Sequence, residues 1–269
     1  MSGNAPLFLK KILVTRGSRQ ASTFSKLIKE EGGIPVEMPL LSFQLIDNED
    51  SMKVLKELHT FQWLILTSQN GVSFLMELLQ KYHINEKILN KLKIAVVGRK
   101  TELELKKHGL KAAVVPEQYV AENLLESLLP CLHQGERILI VRGNLARTVI
   151  KEGLEEHGYE VGELIVYETV PNDSVKQQLR ELLTAGNLDA ITFTSSSTVS
   201  FFVEMVSDLP WLSLIKGCPI VCIGPITAET AESFGITEYL IPQQYTISGM
   251  IEVLNHHFWF KQESKEEKQ

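Results

Sequence analysis

The chain has 269 residues, 44% of them apolar, and carries 27 Lys and Arg against 33 Asp and Glu, for a formal charge of −6. That length and apolar content supply two α/β cores of roughly 100–150 residues each rather than one small core. The negative balance excludes a general nucleic-acid binder, which needs a basic face to offset phosphate, but leaves room for a local cationic pocket. The opening MSGNAPLFLKKILVT lacks the basic stretch, long apolar run and small-residue cleavage site of a secretory signal. No run approaches the roughly 20 apolar residues of a membrane span, so a cytoplasmic protein without membrane contact is expected. Cys131, Cys218 and Cys222 are odd in number and come with no paired His or Cys set, so they read as reduced thiols rather than zinc ligands.

In chain order, an apolar run at 12–14 leads into FSKLIKEEGG, where Phe24, Leu27 and Ile28 share one helix face and Gly32 and Gly33 end the helix. VEMPLLSF then places Pro39 after an extended segment, where a helix cannot continue. Further strand-like runs fall at 63–66, 94–97, 112–115 and 138–141, the last followed by the amphipathic ARTVIKEGLEEHG. VYETVPND repeats the extended-then-proline pattern at Pro171, and runs at 190–193 and 220–223 complete the series. Short, near-continuous apolar strands separated by helical stretches imply parallel sheets covered on both faces. The fold class is therefore α/β, with doubly wound, flavodoxin-like sheets.

An internal repeat organises these elements. KILVTRG aligns with RILIVRG at a constant offset of 126 residues, and the same offset relates Gly98 to Gly224, Gly109 to Gly235, Pro116 to Pro242 and Tyr119 to Tyr245. LILTSQNGVSFL aligns with ITFTSSSTVSFF at an offset of 127. The repeat alone suggests consecutive domains at 1–130 and 131–260. The two proline-marked connectors suggest another cut, with one domain over 42–166 and the chain ends together forming the other. Composition does not choose between them. KQESKEEKQ, over 261–269, reads as a disordered charged tail.

Ligands of open parallel sheets bind beyond the carboxyl ends of the strands. There the repeat places TSQNG, with Ser68 and Asn70, and TSSST, with Ser195, Ser196 and Ser197. It also places GRKT, with Gly98 and Thr101, and GPIT, with Gly224 and Thr227. Each can cap a helix and offer free amides at the positive end of its dipole, a setting for carboxylate or phosphate. Taken singly, each is an ordinary helix cap; four in two symmetric sets point to a polyanion, and two facing domains would make one cleft of them. Arg16 and Arg142 end equivalent strands and add charge there, unless they are plain surface charge. Neither G-x-G-x-x-G, a phosphate-loop lysine nor G-x-S-x-G is present, and adjacent His256 and His257 point different ways on a helix. Hydroxyls and amides without a strong base suit positioning more than covalent catalysis.

In order and spacing, ILVTR, LTSQNGVSFL, AVVG followed by Thr101, RILIVRG, ELIVYET, ITFTSSSTVSFF and CIGPITAET together resemble the uroporphyrinogen-III synthase family, from Ile12 to about Leu254. The resemblance implies two α/β domains joined by a two-stranded connector. Residues 1–38 and 171–260 would form one and 42–166 the other, with connectors at 39–41 and 167–170. It implies a lyase that closes hydroxymethylbilane, a linear tetrapyrrole with eight carboxylates, losing water and inverting the last ring through a spiro intermediate. No cofactor or metal is implied. A monomer that receives its substrate from hydroxymethylbilane synthase is implied as well. Tyr167 in IVYET matches the family tyrosine proposed to assist departure of the hydroxyl; a phenol protonated at neutral pH can donate to that leaving group. Thr227 and Ser197 match substrate-binding positions, with Thr101, Ser68 and Asn70 as counterparts; Gln69 and Glu102 depart from the alanine often found there. The competing reading is a two-domain binding protein that closes on an anion without turning it over.

Overall fold

The structure, a computed structural model, describes residues 5–118 and 120–266. Tyr119 of the repeat and the final residues 267–269 of the charged tail lie outside the described residues. In chain order the first half runs β1 (Lys11–Val14), α1 (Ser18–Glu30), β2 (Ile34–Glu37), β3 (Leu41–Leu45), α2 (Glu49–Lys56) and β4 (Trp63–Leu66). It continues with α3 (Gln69–Lys81), β5 (Lys93–Val96), α4 (Arg99–Lys107) and α5 (Ala121–Leu128). The second half holds β6 (Arg137–Gly143), α6 (Val149–Glu156), β7 (Glu160–Pro171), α7 (Lys176–Thr184) and β8 (Ala190–Phe193). It ends with α8 (Ser196–Val206), α9 (Trp211–Leu214), β9 (Ile220–Cys222), α10 (Pro225–Ser233) and α11 (Ile247–Glu266). Helix α11 therefore runs on through the first part of the tail read as disordered from residue 261, since Lys, Gln and Glu are good helix formers.

Two compact units emerge, one of Met1–Ser42 with Val170–Gln269, the other of Phe43–Thr169. The chain passes between them twice, once within β3 and once within β7. The first unit's sheet has the order β2-β1-β8-β9, and the second's has β3-β7-β6-β4-β5. The pairings β1–β2, β1–β8, β8–β9, β4–β5, β4–β6 and β6–β7 are all parallel. An isolated parallel bridge extends each sheet past its last strand, Val221 to Leu240 in one and Ala95 to Val114 in the other.

The repeat explains this parity. Strands β6, β8 and β9 correspond to β1, β4 and β5, so each sheet joins one half of the first copy to the complementary half of the second. Long β7 corresponds to β2 and β3 taken together. In the first copy the stretch is broken at Met38–Leu40 around Pro39, which cannot donate to a ladder. Alternate residues of each strand enter cores on opposite faces: Leu13, Ile191 and Phe193 in one, Ile12, Val14 and Ala190 in the other. In the second unit Leu64, Leu66, Leu139 and Val141 face one core, while Trp63, Ile65, Ile138 and Ile140 face the other. Both sheets are thus doubly covered, as the unbroken apolar runs require. Gly32 (φ +78°) and Gly158 (φ +79°), equivalent in the repeat, close α1 and α6 in the left-handed conformation.

Candidate functional site

In the second unit strand order reverses between β4 and β6, the place where open α/β sheets leave a crevice at their carboxyl edge. Ser68 follows β4 and caps α3, its Oγ accepting from the Gly71 amide at 3.0 Å. The same Oγ lies 3.2 Å from the Tyr167 hydroxyl on β7. Tyr167 reaches it because the ladder slips at Arg142/Gly143: Arg142 pairs with Ile165, but Gly143 pairs with Tyr167. This bulge inserts Val166 and turns Tyr167 onto the face that Leu164 and Val166 already occupy. The ring is 9% exposed, stacked on Phe74 at 5.3 Å and met edge-on by Phe43 at 5.4 Å. It also covers Gly143, where a Cβ would lie 2.4 Å from the ring and 2.7 Å from the hydroxyl oxygen.

Gly143 opens a loop fixed from below. Arg142 donates from Nε to Glu163 at 2.6 Å, and its Nη1 reaches the carbonyls of Gly143 at 3.1 Å and of Asn144 and Ala146 at 3.4 Å. Lys151 Nζ holds the other Glu163 oxygen at 2.7 Å. Burial pushes the Glu163 carboxyl up, but the hydrogen bonds from Lys151 and Arg142 outweigh it and hold the group below the usual carboxylate range. Asn144 ties the loop to β7: its amide donates to the Tyr167 carbonyl at 3.1 Å, and its Oδ1 accepts from the Thr169 amide at 3.0 Å. The guanidinium of Arg142 is therefore committed to the loop under Tyr167, and not presented at the sheet edge as the sequence suggested.

Asn70 sits in the first turn of α3, half-buried. Gly98 caps α4 without a side-chain bond, leaving first-turn amides open, and Thr101 in that turn is 4% exposed. Glu102 pairs with Lys106. A pocket of about 320 Å³ opens here, lined by Ser68, Tyr167, Thr169 and Arg147 with apolar Val97, Val120, Ala121, Leu145 and Ile150.

The first unit repeats the scheme with different detail. Order reverses between β1 and β8, which are locked by reciprocal bonds at 2.7 Å from Thr15 to the Thr192 carbonyl and from Thr192 to the Leu13 carbonyl. Ser195 caps α8 through a capping box with Thr198. Ser196 donates to the Ile226 carbonyl at 3.2 Å and accepts from Thr230 at 2.8 Å, so α8 and α10 begin side by side. Ser197 is half-buried in the first turn of α8. Gly224 caps α10, and Thr227 stands buried in its first turn as Thr101 does in α4. Arg16 follows β1 half-buried, and burial lowers its pKa.

The sequence-chosen residues thus form two sets, one at each sheet's carboxyl edge: Ser68, Asn70, Gly98, Thr101 and Tyr167 in one unit, Arg16, Ser195, Ser196, Ser197, Gly224 and Thr227 in the other. Sequence reading missed Gly143, Asn144 and Arg147. The bulge that joins Gly143 to Tyr167 leaves no mark on the alternation of a strand buried on both faces, and Arg147 has no counterpart in the repeat, where Ala21 stands. Among the described residues no group of His, Cys, Asp and Glu could hold a metal ion.

A family model described as uroporphyrinogen-III synthase HemD matches residues 22–252. A protein of Methanocaldococcus jannaschii named putative uroporphyrinogen-III synthase is 35% identical over 247 residues, covering 91% of this chain and 97% of the relative. The uroporphyrinogen-III synthase of Chlorobaculum parvum is 30% identical over 239 residues, covering 88% and 94%. A crystal structure of a mutant uroporphyrinogen III synthase from Thermus thermophilus has a TM-score of 0.59 at 22% identity, covering 94% of this chain and 99% of its own. That likeness is one of fold.

Proposed function

Because the chain belongs to the uroporphyrinogen-III synthase family, and so is a lyase that closes hydroxymethylbilane to uroporphyrinogen III, we propose that Tyr167 donates the proton with which the substrate's hydroxyl leaves as water. The observation that carries this reading is the Tyr167 hydroxyl held 3.2 Å from Ser68 Oγ, both residues lining one pocket. A fixed phenol beside a second hydroxyl can hand over a proton and stay hydrogen-bonded as it does so. The carbon left electron-poor by loss of water is attacked by the already substituted α-carbon of the last pyrrole, which gives the spiro intermediate. The bond from that carbon to the neighbouring methylene then breaks and re-forms at the ring's other α-carbon, inverting the ring, and the proton lost there restores the Tyr167 phenol. The helix starts at Gly98, Thr101, Ser68 and Asn70 in one unit, and at Ser195, Ser196, Ser197, Gly224 and Thr227 in the other, take substrate carboxylates, aided by Arg16. Arg142 acts one step back, as a positioning residue for the loop beneath Tyr167.

No helix among the described residues is long and apolar enough to cross a membrane. Cys131, Cys218 and Cys222 stand in no disulfide, which supports a reducing, cytoplasmic compartment, where a monomer would take its substrate directly from hydroxymethylbilane synthase. The decisive assay supplies enzymatically generated hydroxymethylbilane and separates the type I and type III porphyrins after oxidation. Wild type is expected to give type III, and Tyr167→Phe to lower kcat by about a hundredfold with unchanged folding. Spontaneous type I alone from folded wild type would leave a non-catalytic anion binder. A fully active Tyr167→Phe would remove the proton-donor role.

A further inference from the structure

With Arg142 withdrawn into its ion cluster, Arg147 is the one charged residue among the described residues lining the Tyr167 pocket. It stands 63% exposed and is held by Glu122, Nη1 to Oε1 at 2.8 Å and Nη2 to Oε2 at 3.4 Å. This forked arrangement is the one a guanidinium adopts with any carboxylate, and Glu122, 50% exposed and in the first turn of α5, occupies it from outside the pocket lining. A solvent-exposed pair of this kind is worth little, so exchanging Glu122 for another carboxylate costs little. Beside it, α5 begins at Val120, which offers no side-chain acceptor, and Val120 and Ala121 line the same pocket. The rest of the wall is apolar through Val97, Leu145 and Ile150.

A volume of about 320 Å³ stands at the small end of ligand pockets, room for one substituted ring and not for four. We propose that this pocket is a single-ring subsite: it takes the pyrrole bearing the departing hydroxyl, and Arg147 leaves Glu122 to bind that ring's carboxylate arm. The inference rests on the synthase reading above and adds which ring lies at Tyr167 and which side chain selects it. An apolar wall accepts the pyrrole, Arg147 anchors its anionic arm, and the Tyr167 hydroxyl meets the leaving group. Glu122 is then a placeholder that keeps the cation oriented and satisfied while the pocket is empty.

Two substitutions with opposite expected signs test it. Arg147→Gln should raise KM for hydroxymethylbilane about tenfold, the effect of one charge-assisted contact, with less loss in kcat and unchanged thermal stability. Glu122→Gln frees the arginine and should bring KM below wild type. An unchanged KM for Arg147→Gln, or a KM for Glu122→Gln at or above wild type, overturns the proposal. A readout without turnover separates it from the synthase reading: NMR titration with porphobilinogen, a monopyrrole with one acetate and one propionate arm. Shifts at Ser68, Arg147 and Tyr167 are expected in wild type and weakened in Arg147→Gln. Absence of those shifts overturns the subsite even if type III product forms, and their presence upholds it even if none does.

Discussion

The two units run the same strand plan, yet equivalent positions at their carboxyl edges do different things. Gly17 and Gly143 match in the repeat. A Cβ at Gly17 would meet nothing within 4 Å, whereas at Gly143 it would strike the Tyr167 ring at 2.4 Å. Arg16 follows its strand half-buried, while Arg142, its counterpart, is 11% exposed and spent on Glu163 and three loop carbonyls. Ser195 is satisfied by its own capping box, but Ser68 turns its cap oxygen toward a phenol as well. The first unit's edge thus closes its caps on themselves, and the second's is packed around one group whose position matters.

The sharpest way to break this comparison is to add one methyl at each matched glycine. Gly143→Ala should cost at least about a hundredfold in turnover, since a shift of an ångström in a reacting group has that effect. It should also destabilise by about 1–3 kcal/mol through overpacking. Gly17→Ala should leave turnover intact and change stability by no more than about 1 kcal/mol. Parallel kinetics and thermal melts decide it, and equal behaviour would remove the asymmetry.

Next in size is Arg142→Leu, which leaves Glu163 to Lys151 alone and takes a donor from three carbonyls, at a cost of about 2 kcal/mol by denaturant unfolding. Turnover should fall with the loop, and KM should change less. The same cluster predicts an acid dependence. Glu163 is favoured as the anion when folded, so its contribution is present above its ordinary value of about 4.3 and lost as pH falls through the lower folded value. Melting wild type and Glu163→Gln from pH 7 to pH 3 should show a gap that closes only at the acid end.

The smallest effect concerns thiols. Burial pushes Cys222, at the end of β9, up to about 12, while Cys131 is exposed. An alkylating reagent at pH 8 should modify Cys131 in the folded protein and reach Cys222 only on unfolding, as intact mass would show.

Much of this architecture was legible because it rests on local pattern. Runs buried on both faces cannot alternate, and they identified strands such as 63–66 and 190–193; the capping residues Ser68 and Ser195 follow them after a single threonine. The run at 112–115 was weaker than it looked, contributing a single bridge at Val114. What stayed hidden depends on two chain segments meeting. The ring over Gly143 needs a one-residue slip between β6 and β7. The pairing of Arg147 with Glu122 brings a loop to the start of α5, which no periodicity connects. Arg142 reads as an available cation until Glu163 and Lys151 are seen closing on it.

The composite sheets also dictate an order of assembly. The second unit is one contiguous stretch, Phe43–Thr169, and can complete its sheet as soon as that stretch has left the ribosome. The first unit cannot: β1 closes against β8 through the Thr15 bond to Thr192, across 177 residues. Its opening strands, paired only with each other, and α1 must wait until β8 has been made. Contacts of such long range form slowly because loop closure precedes their reward. A stalled or shortened chain would therefore carry a finished Tyr167 pocket beside an orphaned N-terminal β-α-β segment, and that segment is where chaperone demand and aggregation should concentrate.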